Sequence, residues 1–339
     1  MEKIFRTTVA AGIALTLTGC FFDSDKPDVV VVEPPPVVVT PTTLSFDGSA
    51  IKGILANATV EIFLATDLET SVGTTQTDAQ GNYSFTVTDE SGEPIIGAYV
   101  VRIVADEDTT MVCDAAVCGD VLRGGLIPSA NIEGLTLSTF TYSDGVTGAV
   151  DANVTLLTEM ATDAILAAAE ANENINLATV DAQGVADLQS GASQVVGAIL
   201  GVDLSSTNLF SLKLIDATTF TADTQVDPIT SSLSLLNASF SGIDGSEITT
   251  YLKSFKTVVG LLVSPDTAGT VSAEDLAVLT DTQTKISILV RDVLTVVVQD
   301  TGLSLAVDDV TTEIDIQKIV DAITVILTGG TGGTGGTGG

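Results

Sequence analysis

Histidine and tryptophan are absent from this chain, and cysteine occurs only three times. Basic residues number 12 against 44 acidic ones, for a formal net charge of −32 at pH 7. Without histidine, no side chain titrates near neutrality unless its environment shifts it there, and a tetrahedral zinc site cannot be completed from the cysteines that remain. The scarcity of Lys and Arg excludes binding to a phosphate backbone, because so negative a field repels nucleic acid and anionic headgroups. The Gly-x-Ser-x-Gly nucleophile pattern is missing as well. What is present is a globular composition, 45% apolar and only 17% charged, so Thr, Ser, Asn and Gly must cover much of the surface. The length allows about two domains after any leader.

The chain begins with Lys3 and Arg6 and then a charge-free apolar stretch over residues 7–18. About a dozen such residues fall short of the roughly 20 that cross a bilayer as a helix, so the segment reads as a secretory signal peptide. It closes on Leu17-Thr18-Gly19-Cys20, which resembles the lipobox of bacterial lipoproteins: a branched apolar residue, two small ones, then cysteine. That resemblance implies cleavage before Cys20 and acylation of its sulfur. Several acyl chains, at about 0.8 kcal/mol per buried methylene, then make a stable anchor. The alternative is an ordinary cleaved signal peptide with an incidental cysteine. Phe21 rather than Asp follows Cys20, which in that family implies an outer-membrane destination, on either the periplasmic or the surface face.

With Cys20 lipidated, Cys113 and Cys118 remain. An even remainder in an oxidising compartment predicts a disulfide closing a small loop, the alternative being two buried thiols.

Five segments are expected along the chain: the leader (1–19), a tether (20–43), an antiparallel β-sandwich (44–150), a mainly α-helical bundle (151–328) and a Gly/Thr tail (329–339). The fold class is therefore α+β and multidomain. The tether holds Pro34-Pro35-Pro36 and Pro41 between valine runs. Polyproline geometry would extend about twenty residues over roughly 60 Å, and the valines offer a strand that could pair with the body or a neighbour. Alternation over 59–65 and 83–87 and a continuous apolar run over 98–105 predict strands, with 132–137 and 139–142 as further ones. Asp78-Ala79-Gln80-Gly81-Asn82 is expected to join two of them as a hairpin.

Ser49-Ala50-Ile51-Lys52-Gly53, Ala58-Thr59-Val60-Glu61-Ile62 and Thr77-Asp78-Ala79-Gln80-Gly81-Asn82-Tyr83-Ser84-Phe85 together resemble the carboxypeptidase-regulatory-like, transthyretin-type β-sandwich of bacterial surface proteins. The resemblance implies a fold and a surface setting, not an activity. Collagen-adhesin B-type relatives of that sandwich join a Lys to an Asn or Asp with a Glu nearby; Lys52 and Glu61 are the residues here that the comparison would implicate.

From residue 151 the apolar period becomes helical, with stripes through Leu157, Met160, Ala164 and Ile165 and through Val185, Leu188, Val195 and Ile199. Further stripes run through Ile248, Leu252, Phe255 and Val259 and through Leu276, Leu279, Ile286 and Val293. Asp227-Pro228, Ser272-x-x-Asp275 and Thr312-x-x-Asp315 read as helix starts, and Gly302 and Gly329 as stops. Five or six helices are expected. The many Thr and Val residues leave strands open over 205–225 and 292–298.

No catalytic residues are assigned and no cofactor is expected besides the lipid on Cys20. Asp106-Glu107-Asp108 and Asp308-Asp309 are acidic runs of the sort so acidic a chain produces by chance. Calcium has weak candidates in Asp78 with Asn82 and in Asp106 with Asp108, without the Asp-x-Asp-x-Asp-Gly loop that would favour it. The expected function is a non-catalytic, lipid-anchored surface protein serving adhesion, assembly or envelope structure, with an envelope or surface protein or a glycan as partner. The alternative is an extracytoplasmic hydrolase, or a solute- or glycan-binding component, with acidic residues gathered in an interdomain cleft.

Overall fold

The computed structural model describes residues 40–146, 148–264, 271–305, 310 and 313–329. Leu17, Thr18, Gly19 and Cys20, the valine runs, Asp308-Asp309 and the glycine repeat after residue 329 lie outside the described residues.

The N-terminal part is made of strands. They are β1 (Thr42–Ile51), β2 (Leu55–Ala56), β3 (Thr59–Leu64), β4 (Asp67–Gln76), β5 (Asn82–Asp89), β6 (Ile96–Val104) and β7 (Thr110–Val112). After them come β8 (Val117–Cys118), β9 (Val121–Leu122), β10 (Leu126–Ile127), β11 (Thr136–Asp144), β12 (Ala149–Asp151) and β13 (Val154–Thr155). Helices follow: α1 (Leu156–Ala171), α2 (Ala182–Leu200), α3 (Pro228–Ser239), α4 (Gly245–Val263), α5 (Ala273–Thr301) and α6 (Ile316–Gly329). The chain is thus mixed α+β, with antiparallel sheets first and helices after.

One sheet runs β11-β6-β3-β4, antiparallel throughout. In the other, β5 pairs antiparallel with β1, while β12 and β13 pair with β1 in parallel. The two sheets face each other in sandwich-like fashion, Phe46 of β1 meeting Tyr99 of β6 edge-on with ring centroids 5.0 Å apart. Apolar β6 is largely buried, and so is β11 despite its Thr and Ser residues, because α1 and α2 pack against β11. Buried side chains of the strands and the helices form a single hydrophobic cluster.

The turn at 78–82 does not close a hairpin. It carries the chain from β4 in one sheet to β5 in the other. Asp78 Oδ1 accepts the N–H groups of Gln80 and Asn82, both at 2.8 Å, which fixes the reversal locally whichever sheet follows. Gly73 of β4 makes the crossing compact, because the Phe85 ring of β5 occupies the space a Cβ would need. Similarly, 132–137 and 139–142 are not separate strands. The 139–142 stretch and the end of 132–137 belong to β11, which is straight enough to pair residue for residue with β6 from Thr136 to Asp144.

The strands left open over 205–225 and 292–298 do not form. The first stretch holds two short 3₁₀ turns, Leu209–Ser211 and Ala217–Thr219, started by Asn208 and Asp216 accepting N–H bonds. The second lies inside α5. The threonine hydroxyls of these helices are satisfied locally by the carbonyl four residues earlier, as in Thr250 to Ser246, Thr284 to Thr280 and Thr295 to Arg291.

Caps match the expected starts at Asp227 and Ser272, whose side chains accept from the N–H groups of Thr230 and Asp275. For α6 the residue holding the first N–H groups is Asp315, which accepts from Gln317 at 3.0 Å; Thr312 lies outside the described residues. A reciprocal cap absent from the sequence reading starts α1: Thr155 Oγ1 accepts from Thr158 N, and Thr158 Oγ1 accepts from Thr155 N. No helix among the described residues is long and apolar enough to cross a membrane.

Candidate functional site

The Cys113–Cys118 disulfide forms, its Cα atoms 5.8 Å apart. It closes a small loop whose side chain of interest is Asp114, which is only 1% exposed. Asp114 reaches the turn after β1, where Gly53 N donates to its Oδ2 at 2.8 Å. Gly53 can make that approach because it is in the left-handed region, with φ +68°, and lacks the Cβ that would strike Val112 O. The loop entropy removed by so short a crosslink is worth about 2 kcal/mol. Reduction should therefore lower the unfolding free energy by about that amount, measured in urea with and without reductant; coincident curves would show that the loop keeps its shape unaided.

Beside Asp114 lies Lys52, 3% exposed and the lone lysine of the strand-built part. Burial pulls its amine down to about 8, against the opposing field of Asp114. Burial pushes the Asp114 carboxyl up to about 7, helped by the charge of Asp216. Asp216 is also raised by burial, although Thr218 N donates to its Oδ1 at 2.8 Å. Two residues at the end of α3 close the group. Asn237 Nδ2 donates to Ile51 O at 2.8 Å, and Ser241, just past α3, sits against Asp114.

Arg123 forms the outer wall. Its guanidinium donates to the carbonyls of Asp114 and Ala217 and lies 3.6 Å from Asp300 of α5. Outside it is a cleft of about 610 Å³ lined by Leu122, Arg123, Phe220, Val296 and Asp300. Leu122, which lines this cleft, is 72% exposed, an unusual placement for leucine.

A second buried carboxyl joins sheet to helices. Ser138 Oγ of β11 donates to Glu159 Oε2 of α1 at 2.6 Å, and Lys256 of α4 pairs with Asp163 at 3.0 Å. Burial, then the neighbouring Asp163, lifts Glu159 to about 7. A separate groove between α2 and α6 is lined by Asp203, Asp315, Lys318 and Asp321.

The residues singled out from sequence are scattered. Asp78 and Asn82 are held within their own turn, and Asp106 accepts from Thr59, Asp108 and Thr109. Asp108 contributes its backbone N–H there. Among the described residues no group of three or more His, Cys, Asp or Glu side chains converges as a metal set. Glu61 stands across from Arg102, 4.0 Å away, and not beside Lys52. Ser49 and Lys52 have Ser-x-x-Lys spacing, contrary to the expectation that no such run occurs. Ser49 lies on extended β1, however, with its hydroxyl donated to Asn153, so the pair is not arranged as nucleophile and base.

The chamber of Lys52, Asp114, Asp216, Asn237 and Ser241 was missed entirely. Its available signals were the single lysine in an apolar turn and the acid next to Cys113. No protein-family model, no curated protein and no solved structure matches this chain, so the reading of the site rests on its own residues.

Proposed function

We propose that the chain is a non-catalytic lipoprotein of the outer membrane, in which acylated Cys20 and a proline-rich tether carry a transthyretin-type β-sandwich joined to a helical domain. Its work is adhesion, assembly or envelope structure, and its partner is an envelope or surface protein or a glycan. The single observation that carries this reading is Leu17-Thr18-Gly19-Cys20 behind a basic and then apolar leader. Support also comes from where the perturbed groups lie. Asp114 is buried behind Arg123 and Glu159 is partly covered and bonded to Ser138, which suits holding elements together better than acting on a substrate. The cleft outside Arg123, with Leu122, Phe220 and Val296 around an Arg–Asp pair, offers an apolar surface with polar anchors for a partner.

The test is labelling with palmitate in a Gram-negative host. Wild type is expected to take up label and sediment with outer membranes, and Cys20→Ala to lose both properties. Label that persists in Cys20→Ala, or a wild type that is soluble and unlabelled, would sink the proposal.

A further inference from the structure

Seven buried side-chain polar atoms among the described residues lack a hydrogen bond of ordinary geometry, and four of them are in this cluster: Asp114 Oδ1, Asp216 Oδ2, Asn237 Oδ1 and Ser241 Oγ, although the Ser241 hydroxyl lies beside Asp114 and the Ile54 N–H beside Asp216. None of these residues is more than 4% exposed. An unmatched buried acceptor costs about 1–3 kcal/mol, so the two carboxylate oxygens and the Asn237 carbonyl, which can only accept, are a concentrated defect unless a donor or a cation meets them. The arrangement is not slack. Each carboxylate is pinned through its other oxygen, Asp114 by Gly53 N and Asp216 by Thr218, and Asn237 is pinned through its amide nitrogen on Ile51 O. Each anchor leaves an acceptor unused, and the charges of Asp114 and Asp216 are near enough to oppose each other.

Lys52 does not resolve the mismatch, since it forms no ion pair with either carboxylate. The four oxygens are hard ligands, two of them anionic, and no sulfur or imidazole accompanies them. We propose that this chamber binds one hard divalent cation, of the Ca²⁺ or Mg²⁺ class, through Asp114, Asp216, Asn237 and Ser241. Two carboxylates balance a charge of two, and the carboxamide and hydroxyl oxygens complete a set of a kind such ions accept. Two residues that line the cleft also hold the cluster: Arg123 donates to Asp114 O and Thr218 N to Asp216 Oδ1. The ion ties together the turn after β1, the disulfide loop, the 3₁₀ turn at Asp216 and the end of α3. The calcium candidates at Asp78 and Asp106 differ from it, because their carboxylates are occupied by N–H and O–H donors of their surroundings.

The experiment uses the full mature chain, stripped with a chelator that is then removed, and titrated with CaCl₂ and separately with MgCl₂ in a calorimeter. One-to-one binding of at least one ion is expected, accompanied by a higher Tm. Asp216→Asn is expected to weaken it by roughly tenfold or more, as is Ser241→Ala, a small change that preserves packing. Lys52→Met, which removes the competing positive charge and leaves the ligands in place, should tighten binding. Asp106→Asn should leave it unchanged. Absence of saturable binding of either ion up to millimolar concentration overturns the proposal, as does binding that survives Asp216→Asn and Ser241→Ala but is lost in Asp106→Asn.

Discussion

Lys52→Met is expected to stabilise the folded protein at pH 6 by about 2–3 kcal/mol. Burial draws the amine from its ordinary 10.5 down to about 8, so the folded state holds this proton less tightly than the unfolded chain does. The unfolded state therefore binds more protons between pH 8 and 10.5, and stability from this group rises with pH across that window. Below pH 8 the ammonium is charged in both states and its full burial penalty is present. Methionine has a similar volume and no charge, so the penalty disappears, in line with buried charges that are outdone by apolar replacements. The loss of attraction to Asp114 offsets little at pH 6, since that carboxyl, raised to about 7, is then mostly neutral. The gain should shrink towards pH 10. Urea unfolding of both proteins in chelator-treated buffer at pH 6 and pH 9.5 checks this. A variant less stable than wild type at pH 6 would mean that the ammonium makes bonds which the burial argument denies.

Glu159→Gln should show the opposite pH signature. The carboxyl moves from 4.5 to about 7 on folding, so the folded state binds the extra proton between those values, and stability falls as pH rises through them. At pH 8 the ionised form is buried between β11 and α1, whereas Gln keeps an oxygen for Ser138 Oγ without the charge. A gain of about 2 kcal/mol is expected at pH 8, reduced from the full linkage value because Glu159 keeps a partly exposed edge. Near pH 4.5 the two proteins should unfold alike. A gain independent of pH would trace to packing and not to the charge, and a loss at pH 8 would give the carboxylate a partner in Lys256 that its separation from that ammonium does not supply.

The regular elements were largely legible because they rest on local rules. β3 and β5 follow from alternation, α3 and α5 from Asp227 and Ser272, and the end of α5 from Gly302, which adopts φ +72°. The sheet assignment of β5 was not legible, since the Asp78–Asn82 turn is stabilised the same way whichever sheet its second arm enters. The stretch 292–298 looked ambiguous because β-branched Val and Thr lose side-chain freedom in a helix, a cost that burial of Val293 and Val297 outweighs inside α5. The chamber was hidden for a different reason. Asn237 and Ile51, which touch, are 186 positions apart, and Asp114 and Gly53 are 61 apart. Nothing in a local window brings four such segments together, and in so acidic a chain two more aspartates carry no signal.

The placement of β1 governs the order in which the chain can fold as it emerges from its N-terminus. One flank of β1 is met early by β5, but the other waits for β12 and β13, so that Ser45 finds Ala149 and Ile51 finds Thr155 only after a long intervening passage. Until residue 155 has appeared, the nascent sheet keeps a bare edge that any extended segment can join. The same threonine that completes the pairing also opens α1, so the moment the edge is sealed is the moment the helical layer begins.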